Sequence, residues 1–252
     1  MADDSRLPSY AVRPGATFPD WAAVTSPATR EALLAIFEVI GIDNMWRDYT
    51  AAEDEVRTAL LRLYAEQGGA PAIPDLARYA GVSEAAIRSL LASLKARDLV
   101  VLDADRERIL GAYPFTDRAT DHHVKLDDRT LNAMCAIDAL GVGDMYGQDV
   151  KIWSRCTFCG VPATIATRDQ GRAVADVHPP TAVVWSGIRH TDGCAANTMC
   201  TVIAFFCDDA HLEAWRAAHR QETPGFRLSI DEALQVGRAI FAPSLAGLEV
   251  TS

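Results

Sequence analysis

Six cysteines, Cys135, Cys156, Cys159, Cys194, Cys200 and Cys207, all fall in the second half of a 252-residue chain. Among them, Cys135 and Asp138 stand three apart in residues 128–140, a segment that reads as a short helix ended by Gly141. That spacing sets both side chains on one helical face within contact range. A carboxylate is an awkward neighbour for a nucleophilic thiol, because a nearby anion disfavours the thiolate. The pair suits a soft cation better: a thiolate would bind the metal, and the carboxylate would manage the protons displaced from thiols. On spacing alone, the commoner arrangement is a buried helical cysteine beside a surface aspartate.

The other thiols leave more than one reading open. Cys200 precedes the apolar run 201–206, and a cysteine at the mouth of a core strand can face a pocket or simply pack. Cys156-Thr-Phe-Cys159 is a C-x-x-C knuckle that Cys194 and Cys207 could complete into a zinc site. No second well-spaced C-x-x-C or H-x-x-H accompanies it, which weighs against that site. His122-His123 reads as a loop ahead of a strand.

These residues need elements to hold them. Residues 1–27 are rich in proline and read as a flexible or draped extension. Apolar periodicity predicts helices over 27–41 and 52–67, the second closed by Gly68-Gly69. Residues 73–83 and 84–97 follow as helix, turn at Gly81 and second helix, with Ser83 as N-cap. Residues 99–102, a charged turn over 103–108 and residues 109–113 then suggest a hairpin. Together these read as a winged helix. Beyond residue 114 the strand-like runs 161–167, 182–185 and 201–206 mix with helical patterns at 213–219 and 230–241. The expected fold class is α+β: a winged-helix-like domain over 28–113, then a mixed domain over 114–252 with a small sheet and the site residues.

Composition narrows the function classes. Apolar residues make up 49% and charged residues 23% of the chain, ordinary values for a globular protein. A formal charge of −10 argues against nucleic acid and anionic membrane as partners. The expected recognition helix carries Glu84, Arg88, Lys95 and Arg97 without a dense basic stripe, so DNA is not the expected ligand. No apolar run reaches the ~20 residues of a membrane span, and the start of the chain lacks a secretory pattern. The cytoplasm is the expected location, where the thiols stay reduced.

The segment Leu131-Asn-Ala-Met-Cys135-Ala-Ile-Asp138 resembles the catalytic segment of the organomercurial (alkylmercury) lyases. Met199-Cys200-Thr-Val-Ile-Ala-Phe-Phe206, followed by Glu213-Ala-Trp215, is similar to that family's second cysteine segment. Between them, Ser154-Arg-Cys156 and Gly160-Val-Pro-Ala-Thr164 resemble a stretch carrying a structural cysteine. The likeness runs over roughly residues 52–240, and Thr201 stands where the family often has a further cysteine. It implies a winged-helix-like N-terminal domain without DNA binding. It also implies protonolysis of a carbon–mercury bond, with Cys135 and Cys200 holding R–Hg⁺ and Asp138 carrying the proton. Mercury would then be ligand to Cys135, Cys200 and Asp138 only as substrate and product. No resident cofactor is implied; exogenous thiols or a mercuric reductase would take the Hg²⁺. Two rivals share these features: a metal-binding or carbon–heteroatom lyase on the same fold, and a metal-responsive winged-helix regulator.

Overall fold

The computed structural model describes residues 7–105, 108–191, 193–219 and 224–248. The first six residues of the expected extension, the middle of the charged turn and the last four residues of the chain lie outside these.

The extension is not loose where it is described. Its strands β1 (Tyr10–Arg13) and β2 (Ala16–Phe18) form an antiparallel hairpin. Arg13 meets the Asp54 carboxylate with two N–H donors, at 2.6 and 2.7 Å. The same guanidinium donates to the carbonyls of Pro243, Ser244 and Ala246. Phe18 packs on Trp46 and Phe37 with ring centroids 4.5 and 5.6 Å apart. The proline-rich composition hid these contacts, because every partner lies far along the chain.

Helices α1 (Pro27–Ile40) and α2 (Ile42–Trp46) follow. Next come α3 (Ala51–Gln67), α4 (Ile73–Ala80) and α5 (Glu84–Ala96). Local chemistry sets their ends. Thr50 and Glu53 form a reciprocal capping box at the start of α3, and Gly68 ends it in the left-handed conformation. Ser83 caps α5, as expected. Buried Glu53 also accepts from Arg97 Nε at 2.7 Å, tying the end of α5 to the start of α3. The strands β3 (Val100–Leu102), β4 (Ile109–Ala112) and β5 (Phe115–Thr116) make a small antiparallel sheet.

The remainder mixes strands and helices. A five-stranded antiparallel sheet runs in the order β10-β9-β8-β6-β7, built from β6 (His123–Leu126), β7 (Arg129–Asn132), β8 (Lys151–Arg155), β9 (Pro162–Arg168) and β10 (Ala173–His178). A three-stranded sheet places β11 (Val183–Gly187) between β12 (Ile203–Phe206) and β13 (Gly225–Ser229). Helices α6 (Ala136–Tyr146), α7 (Asp209–Ala218) and α8 (Ile230–Phe241) complete the chain. The fold is thus α+β with several small sheets.

The helix expected over 128–140 is displaced. Residues 129–132 pair with β6 as strand β7, and the helix begins only at Ala136. Gly141 does not end it. A Cβ there would lie 2.7 Å from the Gly237 carbonyl oxygen, and one on Gly237 would lie 2.8 Å from Gly141 N. The two glycines let α6 and α8 cross backbone to backbone, and α6 ends instead at Gly147 with φ +66°. One continuous apolar core runs from Val12 through both halves of the chain to Phe241.

Candidate active site

Cys135 is the N-cap of α6, not a residue of its interior. Its Sγ accepts from the backbone N–H of Asp138 at 3.4 Å, doing the work a serine or aspartate does at other helix starts. Asp138 occupies the third helical position, so its side chain turns back over the cap. Residues three apart do meet here, through capping geometry and not across a helical face.

Cys200 arrives from elsewhere. It opens a single 3-10 turn, Cys200–Val202, immediately ahead of β12, the core strand expected from the apolar run. Its Sγ donates to Asp138 Oδ2 at 3.6 Å. One donor atom each from Cys135, Asp138 and Cys200 lie within 4.8 Å of one another, and all three residues are buried.

Burial decides the protonation of this group. The helix N-terminus and its N–H donors favour an anion at Cys135. Desolvation outweighs them and, with the Asp138 charge, pushes the Cys135 thiol up to about 11. Cys200 is raised well above the usual thiol value, first by its hydrogen bond with Cys135 and then by burial. Asp138 is raised to about 7 by desolvation, against the opposing effect of the two thiols that donate to it. Both thiols therefore hold their protons at neutral pH, and the carboxyl sits near its midpoint. A soft cation entering the site would displace thiol protons, with a half-charged carboxylate in place to take one.

The three residues open onto a cavity of about 90 Å³ with predominantly apolar walls. Phe37 and Trp46 come from the helical half and Ile137, Met199 and Phe241 from the other. Such walls suit an organic group and exclude water from a proton-transfer site.

Several residues that sequence reasoning passed over shape the site. Asp98, at φ +55°, accepts from Ala195 N–H at 2.7 Å and from the Tyr113 hydroxyl at 3.3 Å. The Tyr113 oxygen in turn accepts from Ala196 N–H at 2.6 Å. The pair anchors the turn leading to Cys200. Arg57 reaches the cavity wall, donates to Ser244 Oγ at 2.9 Å and lies 5.9 Å from the Trp46 ring centroid. In the sequence Asp98 is only an aspartate just before the run 99–102, which reads as a turn residue.

The remaining thiols divide. Cys194 lies beside Asp98 and does not join the knuckle. Cys156, Cys159 and Cys207 do come together, joined by His211. His123 opens β6, while His122 is buried against Ser154, its Nδ1 2.9 Å from Oγ. Burial lowers His122 to about 4, so it is a neutral core histidine, outside both thiol groups.

Comparison with known proteins gives the chain a family. A curated alkylmercury lyase from Bacillus cereus is 30% identical over 173 residues, covering 68% of this chain and 74% of that protein. One from Staphylococcus epidermidis is 27% identical over 183 residues, covering 73% and 80%. The solved structure of the mercury-bound form of MerB2 superposes with a TM-score of 0.65 at 24% identity, over 82% of this chain and 97% of that one, and shares the fold. The alkylmercury lyase family model matches residues 115–242, a span that carries Cys135, Asp138 and Cys200 alike, and the chain belongs to that family.

Proposed function

We propose that the chain is an organomercurial lyase that cleaves R–Hg⁺ by protonolysis, with Cys135, Cys200 and Asp138 as its catalytic residues. The observation that carries this reading is the burial of two thiols around one carboxyl in an apolar cavity. Cys135 exchanges its proton for mercury and holds R–Hg as a thiolate. The Cys200 thiol then passes its proton to the Asp138 carboxylate and becomes the second sulfur ligand. Two thiolates raise electron density on mercury and weaken its bond to carbon. Asp138 returns the proton to carbon as that bond breaks, giving R–H, Hg²⁺ on two thiolates and a carboxylate ready for another cycle. The step balances: one S–H and one C–Hg bond are lost, and one C–H and one Hg–S bond are formed. Exogenous thiols carry Hg²⁺ away, directly or to a mercuric reductase, and the reaction needs no resident cofactor. Free thiols in the site suit a reducing compartment such as the cytoplasm.

We also infer that α3, α4 and α5 with the β3–β4 hairpin form a winged-helix-like unit that covers the site. Arg57, Asp98 and Leu99 of this region reach the cavity wall, which supports a covering role. Arg88 lies 3.8 Å from Glu84, and Arg97 is held by Glu53 and the carbonyls of Met45, Arg47 and Asp48. Arg97 is thus withheld from phosphate contacts, and Arg88 stands at the surface beside an acidic partner, which argues against DNA as a partner.

Incubation with methylmercury or phenylmercury and excess thiol tests the reading. Methane or benzene should evolve with turnover. Tight mercury binding without hydrocarbon above background would overturn the lyase assignment and leave a metal-binding member of the family.

A further inference from the structure

A second group of metal-ligand side chains lies outside the site described above. Cys156 and Cys159 sit in the connection between β8 and β9, Cys207 directly follows β12, and His211 lies in the first turn of α7. One donor atom from each of the four falls within 4.8 Å of all the others. Two of the separations are specific: Cys159 Sγ to Cys207 Sγ is 3.7 Å, and Cys156 Sγ to His211 Nδ1 is 3.7 Å. Zinc bonds of ~2.3 Å to sulfur and ~2.0–2.1 Å to nitrogen place tetrahedral ligands about 3.8 Å (S···S) and 3.6 Å (S···N) apart. The observed edges match both values. A disulfide would need sulfurs ~2.05 Å apart and would give His211 no part.

The backbone is shaped for this purpose. Gly160, directly after the second cysteine, adopts φ +74° and donates its N–H to the Cys156 carbonyl at 2.8 Å. Cys156 N–H closes the loop on the Val161 carbonyl at 2.9 Å. This tight turn aims two sulfurs at one point, and Asp208, capping α7 by accepting from His211 N–H at 2.8 Å, fixes the imidazole-bearing residue opposite. Below lies a small separate apolar cluster of Val183, Trp185, Phe206 and Leu212 with Cys156 and Cys207.

We infer that Cys156, Cys159, Cys207 and His211 form a structural zinc site of the Cys₃His type. Three thiols release their protons to solvent as Zn²⁺ binds and the imidazole binds neutral, so the loaded site carries one net negative charge. Four protein ligands fill the tetrahedron and leave no open position, which makes the site structural and not catalytic. Its placement gives it a task. Strand β12 has Cys200 just before its start and Cys207 just after its end. A zinc ion at the far end fastens that strand to the β8–β9 loop, where Thr157 N–H already donates to the Phe205 carbonyl at 3.0 Å, and to α7. Occupied thiolates are also less open to oxidation.

The test uses the full untagged chain, purified without a chelating column from zinc-supplied medium. Wild type and the Cys135→Ser/Cys200→Ser double variant should each hold one zinc per chain. With cobalt(II) in place of zinc, both should show intense tetrahedral bands and thiolate-to-cobalt charge transfer. Cys159→Ser, at the exposed ligand, should weaken retention against a chelator by more than the ~10- to 100-fold that loss of an outer-shell partner costs elsewhere. His211→Cys should keep the metal and strengthen the charge-transfer band, which separates lost coordination from lost folding. Wild-type protein with reduced thiols, no zinc and no tetrahedral cobalt bands would overturn the proposal. So would bands abolished in Cys135→Ser/Cys200→Ser and kept in Cys159→Ser, or only four titratable thiols of the six after denaturation with chelator.

Discussion

Cys200 Sγ lies 3.6 Å from Asp138 Oδ2, although the two residues are 62 positions apart and sit on different elements. Asp138 is also fixed from its own side, since its backbone N–H donates to Cys135. One carboxyl thus stands between a thiol that its own helix cap supplies and a thiol that another strand delivers. That relationship makes Asp138 a proton carrier between sulfur and carbon in the proposed reaction, and it has measurable consequences.

The pH profile is the first. Asp138 must be a carboxylate to take the Cys200 proton, and burial raises it to about 7. We expect kcat/KM to rise with pH through an apparent value near 7 in the free enzyme. The limb should vanish in Asp138→Asn. A profile that is flat or falling across that range would remove the proton-acceptor role.

Stability should respond in the opposite direction. Asp138 is raised from 3.8 to about 7, so the folded chain keeps a proton over a range where the unfolded chain has released it. Rising pH then favours unfolding between these two values, and the loss is complete above the upper one. Asp138→Asn has no such proton to lose. Its Tm relative to wild type should increase from pH ~4 to pH ~7 and level off beyond, which thermal melts across that range will show.

Asp98 is expected to be a positioning residue. It holds Ala195 N–H and the Tyr113 hydroxyl at the turn that leads to Cys200. Asp98→Ala should lower kcat by about 10²-fold, the scale set by small misplacements of a reacting group. Asp98→Asn keeps an acceptor oxygen and should recover most of the rate. Equal loss in both variants, with folding intact, would mean the charge acts by another route.

The α6–α8 crossing should resist added volume. A methyl on Gly141 would meet Phe241 Cδ2 at 2.4 Å and the Gly237 carbonyl oxygen at 2.7 Å. Gly141→Ala gains up to about 1 kcal/mol of helix propensity, yet overpacking a dense contact costs ~1–3 kcal/mol. Net destabilisation in denaturant melts is expected, together with a slower lyase reaction, because α6 carries both Cys135 and Asp138. A more stable Gly141→Ala variant would show that the crossing has slack.

Much of this was legible in the sequence where the signals were local. The periodicity and capping residues of α3, α5 and α8 lie within a few residues of the ends they set, and those helices fall where they were expected. Residues 129–132 become strand by pairing with β6 across the two-residue turn Asp127-Asp128, a hairpin that the helical reading of 128–140 passed over. That hairpin pairing moved the helix start and turned Cys135 from a mid-helix residue into a cap. Gly141 reads as a helix stop unless Gly237, nearly a hundred residues on, is known to press against it. Strand β10 was missed because it lies at the sheet edge and lacks alternation, with residues exposed or half-buried throughout. Cys207 and His211 stand four apart, a ligand spacing present in the sequence and passed over there, and only the packing of α7 and β12 beside the β8–β9 connection brings the pair to the knuckle. Cys194 looked equivalent to Cys207 in sequence, yet its turn belongs to the Asp98 side of the molecule.

The most direct test is single-turnover benzene release from a preformed one-to-one phenylmercury complex, comparing wild type with Asp138→Asn. Both proteins keep Cys135 and Cys200 and should bind phenylmercury equally. Only wild type should release benzene promptly, with the variant slower by about 10²- to 10⁴-fold, the usual contribution of a positioned acid. Equal release rates from the two complexes would contradict the account, because the proton would then reach carbon without Asp138.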